Sequence, residues 1–182
     1  MDLSQRKVLI SREDIAKRVQ EMGRQITEDY QGSECPLVLI SVLKGAIPFT
    51  ADLIRAIDLP LRLEVLVASS YGSGTVSSGK VELKYQSFGD LSGCNVILVD
   101  DIIDSGNTLA AIGRTIKDFN PEHVAYCTFL NKPDRREADI DVDYLGYDIP
   151  DKFVIGYGLD FDSKYRELPD IFTIEAFEGE EH

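Results

Sequence analysis

Residues 96–108 read Val96-Ile97-Leu98-Val99-Asp100-Asp101-Ile102-Ile103-Asp104-Ser105-Gly106-Asn107-Thr108. The first four are apolar and, apart from Leu98, β-branched. A short continuous apolar run of this kind suits a strand buried on both faces, as in a parallel sheet. Two carboxylates then stand side by side, and Asp104 follows two apolar residues later. From Leu109 the apolar positions Leu109, Ile112, Ile116 and Phe119 recur at helical spacing. The stretch therefore predicts a buried strand, an acidic loop and the N-terminus of a helix. Open α/β sheets bind ligands outside the carboxyl ends of their strands, so the chemistry is expected here.

The rest of the chain has the same grammar. Lys7–Ile10 reads as a short strand or extended lead-in. Ser11 is a helix N-cap, with Glu13 and Asp14 where they complement the dipole. Ile15, Val19, Met22, Ile26 and Tyr30 mark one face of the helix that follows. Leu37–Val42 predicts a central strand ending in Lys44 and Gly45, and Ile47–Ile57 a helix with Pro48 in its first turn. Gly at such an end lets backbone approach a ligand and Lys meets an anion, although a plain turn with a solvated Lys reads equally well. Leu61–Ser70 predicts a strand, Tyr71–Lys80 a Gly/Ser-rich loop that is either a disordered hairpin loop or a mobile lid, and Val81–Tyr85 an exposed hairpin strand. His123–Leu130 predicts a buried strand that delivers Lys132 and Arg136 into a loop. Val142–Gly146 and Phe153–Gly156 are short strands, and Phe172–Phe177 is an edge strand.

The chain has 182 residues, 43% of them apolar and 28% charged, which suits one soluble globular domain. A net charge of −13 argues against non-specific binding to nucleic acid or an anionic membrane. It leaves room for a small phosphorylated ligand held locally with a divalent cation. Cys35, Cys94 and Cys127 are odd in number and lack CxxC spacing, which fits reduced thiols and a cytoplasmic setting. No apolar run approaches the length of a membrane span, and no signal-peptide pattern is visible at the N-terminus.

At the predicted strand ends, Asp100, Asp101 and Asp104 meet Lys44, Lys132 and Arg136, with Asp160 and Arg166 from the last part of the chain. Cations and carboxylates at one edge point to a polyanionic ligand and a divalent ion, and Mg²⁺ prefers one or two carboxylates plus ligand phosphates and waters. Ser105, Gly106, Asn107 and Thr108 can form an anion nest at a helix N-terminus; the same residues also suit a plain helix cap. The GxxxxGK[ST] phosphate-loop spacing is absent. Two carboxylates at a buried strand end each need hydration, a partner or a metal, or they accept hydrogen bonds from a diol such as ribose. Residue chemistry alone thus leads to a binder of a phosphorylated sugar or nucleotide with Mg²⁺.

VILVDDIIDSGNT resembles the phosphoribosyl pyrophosphate signature of type I phosphoribosyltransferases. SVLKGA at 41–46, SSYGSGT at 69–75, LNKPDRR at 130–136 and DKFVIGYGLDFDSKYRELP at 151–169 resemble the hypoxanthine-guanine branch. The resemblance implies an α/β fold with a central, mostly parallel sheet flanked by helices and a small hood. It implies a single domain over 1–182, with a core at about 36–150 and the hood built from the N- and C-terminal segments. It implies transfer of a 5-phosphoribosyl group from phosphoribosyl pyrophosphate to hypoxanthine and guanine, with Mg²⁺, by a homodimer or homotetramer. Asp104 would handle the proton at purine N7. Asp100 and Asp101 would hold the ribose hydroxyls directly or through Mg²⁺, and Asp160 would bind Mg²⁺. Ser105, Gly106, Asn107 and Thr108 would cradle the 5′-phosphate. Lys132 would donate to purine O6, Phe153 would stack on the base and the Val154 backbone would read its edge. Lys44, Gly45, Arg136 and Arg166 would bind pyrophosphate, across a cis Leu43–Lys44 peptide, and Ser70 and Tyr71 would close over the site. Asn107 departs from the pattern, since many relatives carry Lys or Arg there.

Three rival readings exist. A regulator on the same fold that contacts nucleic acid is disfavoured by the acidic balance and by the purine contacts of Lys132 and Phe153. A second is another phosphoribosyltransferase, taking adenine, xanthine or a pyrimidine, of which Lys132 as an O6 donor disfavours adenine. A receiver-like phosphorylation domain places its acidic pair near its start, not in mid-chain.

Overall fold

A computed structural model describes residues 6–69 and 82–174. The elements in order are β1 (Arg6–Ile10), α1 (Arg12–Tyr30), β2 (Leu37–Leu43), α2 (Ile47–Ala56), β3 (Leu61–Ser69), β4 (Glu82–Ser87), β5 (Asn95–Ile103), α3 (Asn107–Lys117), β6 (His123–Asn131), β7 (Tyr144–Asp148), β8 (Val154–Ile155) and β9 (Ile171–Ile174). A six-stranded sheet has the order β4-β3-β2-β5-β6-β7. Its five strands from β3 to β7 run parallel, and β4 closes one edge antiparallel to β3. The loop expected over Tyr71–Lys80, with Ser70, lies outside the described residues.

Alternation along the central strands assigns their side chains to two layers. Leu37, Leu39, Ile97, Val99, Ala125 and Cys127 pack with Ile15, Val19, Met22 and Ile26 of α1 and Phe49 and Leu53 of α2. Val38, Ile40, Val96 and Leu98 pack on the other face with Leu109, Ile112 and Ile116 of α3. The start of α1 is fixed by Ser11, whose Oγ accepts from the Asp14 N–H at 3.1 Å.

Three expectations are corrected. β5 does not end at Val99: it continues through both carboxylates to Ile103, because β6 runs beside it and pairs Asp100 with Thr128, Ile102 with Leu130 and Ile103 with Asn131. The acidic pair is therefore strand, not loop. Phe119 lies beyond α3, 38% exposed, with its ring edge-on to Phe88. The last strand is not an edge: β9 is the middle of a small antiparallel sheet, β1-β9-β8. That sheet joins the first described residues to the last, over its own apolar cluster of Ile155, Phe172 and Ile174. Among the described residues no helix is long and apolar enough to cross a membrane.

α1 and α2 meet at Gly23, where an added Cβ would stand 2.5 Å from the Ala56 Cβ and 2.6 Å from its backbone. In an open helix Gly→Ala stabilises by ~1 kcal/mol. Here the sign reverses, because the obstacle is backbone that must move. Gly23→Ala is expected to lower the unfolding free energy by about 1–3 kcal/mol, read from urea melts. A raised midpoint would show that the helices do not need this close approach.

Candidate active site

Four segments converge at the carboxyl end of the parallel strands. β2 departs from β5 after Ser41, whose partner is Val99. The last residues of β5 are thus paired on the β6 side while the β2 side opens. Into that opening turns the end of β2, with a cis Leu43–Lys44 peptide as the resemblance implied. Gly45 follows, and a Cβ there would lie 1.7 Å from Asp101 Oδ2, so a larger residue would displace this carboxylate. The Lys44 side chain is exposed.

Asp100 and Asp101 line a cleft of about 270 Å³ with Asp104, Ser105, Gly106 and Thr108. The Asp101 N–H donates to Asp100 Oδ1 at 3.0 Å. Burial pushes the Asp100 carboxyl well above the usual range, and the neighbouring Asp101 charge adds to this. Burial also raises Asp101, opposed by hydrogen bonds and by the Arg166 charge. The pair is thus a place that favours an incoming cation or hydroxyl donors. Among the described residues no three His, Cys, Asp or Glu side chains are grouped as a metal cage. This donor set suits an ion that completes its shell with ligand oxygens and water.

Gly106 (φ +79°) is the N-cap of α3 and turns the chain so that the first turn of the helix opens on the cleft. The Asn107 N–H donates to Ser105 Oγ at 3.3 Å. The Ser105 carbonyl accepts from the N–H groups of Glu137 and Ala138 at 3.0 and 2.9 Å, which ties the nest to the loop after β6. Asn107 now has a partner: its Nδ2 donates to Glu137 Oε2 at 2.7 Å. An amide here braces the loop from outside, a job that no local spacing announces.

β6 delivers Lys132, 7% exposed, whose N–H donates to the Ile103 carbonyl at 3.0 Å. Its Nζ lies 3.7 Å from Asp104 Oδ1 and 3.5 Å from Asp151 Oδ1. Asp104 Oδ1 is buried without a hydrogen-bond partner. Arg136 sits behind Gly106, its guanidinium bound to the Ile140 carbonyl and to Asn131 Oδ1.

The segment around β8 closes the other side. Phe153 is 37% exposed, with its ring edge-on to Phe161 at 5.6 Å, and Val154 is buried. Arg166 pairs with Asp160 at 2.6 Å and donates to the Gly158 carbonyl. Asp160 also accepts from the Ser163 N–H at 2.8 Å. A Cβ on Gly158 would lie 1.9 Å from the Gly45 carbonyl, so this segment touches the turn after β2. Tyr157 anchors it to α2 by donating to Asp52 Oδ2 at 2.8 Å. The sequence reading named no role for Asp151, Glu137, Gly158 or Tyr157, whose partners are distant in the chain. Ser70 and Tyr71 lie outside the described residues.

The model of the phosphoribosyl transferase domain matches residues 9–162. Among similar proteins, the hypoxanthine-guanine phosphoribosyltransferase of Mycobacterium avium is 44% identical over 172 residues, covering 92% of this chain and 85% of that one. The hypoxanthine phosphoribosyltransferase of Escherichia coli is 42% identical over 162 residues, covering 89% and 91%. A crystal structure of the Staphylococcus aureus hypoxanthine phosphoribosyltransferase superposes with a TM-score of 0.88 at 40% identity, covering 93% and 91%. The architecture is the type I phosphoribosyltransferase fold. The chain belongs to the hypoxanthine-guanine phosphoribosyltransferases of the phosphoribosyl transferase domain family.

Proposed function

We propose that this chain transfers the 5-phosphoribosyl group of phosphoribosyl pyrophosphate to hypoxanthine and to guanine, giving IMP or GMP and pyrophosphate. This is a pentosyl transfer of purine salvage. The observation that carries the reading is the buried Lys132 ammonium 3.7 Å from Asp104 Oδ1, beside the acidic cleft. One group donates and the other accepts, the pair of functions that O6 and N7 of a 6-oxopurine call for.

In this reading the nest from Ser105 to Thr108 holds the 5′-phosphate. Asp100 and Asp101 face the ribose hydroxyls. As pyrophosphate leaves C1 the ribose gains oxocarbenium character, and carboxylates near the ring favour that positive charge. Asp104 takes or holds the proton at N7 while a purine nitrogen attacks C1. Lys132 donates to O6, Phe153 offers its face to the base and the Val154 backbone lies at its edge. Lys44, Gly45, Arg136 and Arg166 are assigned to pyrophosphate. Asp100, Asp101 and Asp160 are the residues proposed to hold Mg²⁺, which when bound neutralises the leaving group. In the same proposal the main sheet is the phosphoribosyl-binding core and the small sheet the hood over the base, within one domain. The protein works in the cytoplasm, where its free thiols Cys35, Cys94 and Cys127 stay reduced. It assembles as a homodimer or homotetramer.

Two measurements test the reading. A spectrophotometric assay with phosphoribosyl pyrophosphate, Mg²⁺ and a panel of hypoxanthine, guanine, xanthine and adenine is expected to show turnover of the first two. No turnover of either would sink the proposal. Asp104→Asn keeps the shape of the side chain and removes its basicity. It is expected to lower kcat by about 10²–10⁴-fold with a much smaller change in KM for the base. Equal losses in both would contradict proton handling by Asp104.

A further inference from the structure

Lys132 is a buried cation whose compensation is divided. Its Nζ is 3.5 Å from Asp151 Oδ1 and 3.7 Å from Asp104 Oδ1. Neither distance is that of a formed charge-assisted hydrogen bond, about 2.7–2.9 Å. The ammonium is neutralised from two sides, and it leans toward Asp151, which it reaches with a long hydrogen bond, rather than toward Asp104. Asp151 is itself fixed, because Arg135 Nε meets the same Oδ1 at 2.7 Å. That guanidinium holds the Asp151 carboxyl below the usual range, with Lys132 adding to the effect. The result is a row of alternating charge, Arg135, Asp151, Lys132 and Asp104, drawn from the ends of β5 and β6 and from the link between β7 and β8.

We propose that Asp151 is a positioning residue for base recognition: it holds the Lys132 ammonium off Asp104, so that Lys132 stays directed at purine O6 and Asp104 stays open to purine N7. This rests on the transferase reading above. A buried ammonium left with a single carboxylate closes on it, because the interior offers no water to share its charge. Without Asp151, the remaining partner is Asp104. Collapse of Lys132 onto Asp104 would withdraw the O6 donor and occupy the N7 acceptor in one contact. Asp104 Oδ1, the oxygen that faces Lys132, is buried without forming a hydrogen bond, while the Asp104 side chain as a whole stays half-exposed toward the cleft. Asp151 then acts on the base through Lys132, without touching the ribose or the phosphates.

The test is steady-state kinetics on the unsubstituted protein, Asp151→Asn, Asp151→Glu, Lys132→Gln and the double variant Asp151→Asn/Lys132→Gln. Hypoxanthine and phosphoribosyl pyrophosphate are varied in turn. Asp151→Asn is expected to raise the KM for hypoxanthine about tenfold, the scale of one lost charge-assisted contact. The KM for phosphoribosyl pyrophosphate should stay within about twofold, which also reports that the fold is intact. Asp151→Glu, which keeps the charge, should recover part of the loss. With Lys132 already replaced, Asp151→Asn should add less than about twofold, because residues acting through one contact are not additive. A hypoxanthine KM like that of the unsubstituted protein, an equal rise in both KM values, or full additivity with Lys132→Gln overturns the role of Asp151. Absence of turnover by the unsubstituted protein with hypoxanthine or guanine overturns the transferase reading instead.

Discussion

The site depends on an inequality between two neighbouring ladders. β5 pairs with β2 only as far as Ser41 and Val99, but with β6 as far as Ile103 and Asn131. Past Val99 the strand is held from one side. That hold keeps Asp100 and Asp101 in extended backbone, while the departure of β2 opens the space into which they project. Gly45 then brings the β2 turn against Asp101, and Gly158 brings the segment around β8 against Gly45. Each contact requires the one before it. A longer β2 ladder would cover the carboxylates, and a shorter β6 ladder would leave them on a loop.

The continuous apolar runs identify the central strands because strands buried on both faces leave no room for polar side chains. The 3.6-residue spacing identifies the buried faces of α1 and α3, and the caps place their ends within a residue or two. The sequence cannot give the length of a ladder. An acidic pair after four apolar residues looks like a strand end, yet β6 extends the strand through Asp100 to Ile103, since pairing is a property of two segments. Phe119 fits the helical period but falls past the end of α3, where Phe88 receives it.

The candidate site divides along the same line. Asp104, Lys132 and the Ser105–Thr108 nest were legible because each sits in a local pattern that carries its own physics. Their partners were not. Glu137 supports Asn107, and Asp151 stands opposite Lys132, over separations of 30 and 19 residues that no periodicity spans. Asn107 illustrates the point. Its amide has no visible partner while the loop is considered alone, and gains one once the Glu137 carboxylate is beside it.

A net charge of −13 is compatible with the proposed polyanionic ligand, because local charge decides local binding. The balance of the whole molecule acts at long range and is screened within about 8–10 Å at physiological salt. What decides local binding is the charge inside that distance. Here the cations are not scattered: Lys132 is buried between carboxylates, and Arg166 is committed to Asp160 and the Gly158 carbonyl. Asp100 and Asp101 face each other with carboxyls raised by burial, so their negative charge is poorly compensated by the protein alone. On the proposed reading, such a site would disfavour a bare polyphosphate relative to one that arrives with positive charge of its own. In the proposed function the carboxylate pair would select a phosphate ligand that carries a divalent cation, a selection that a purely basic cleft would not make.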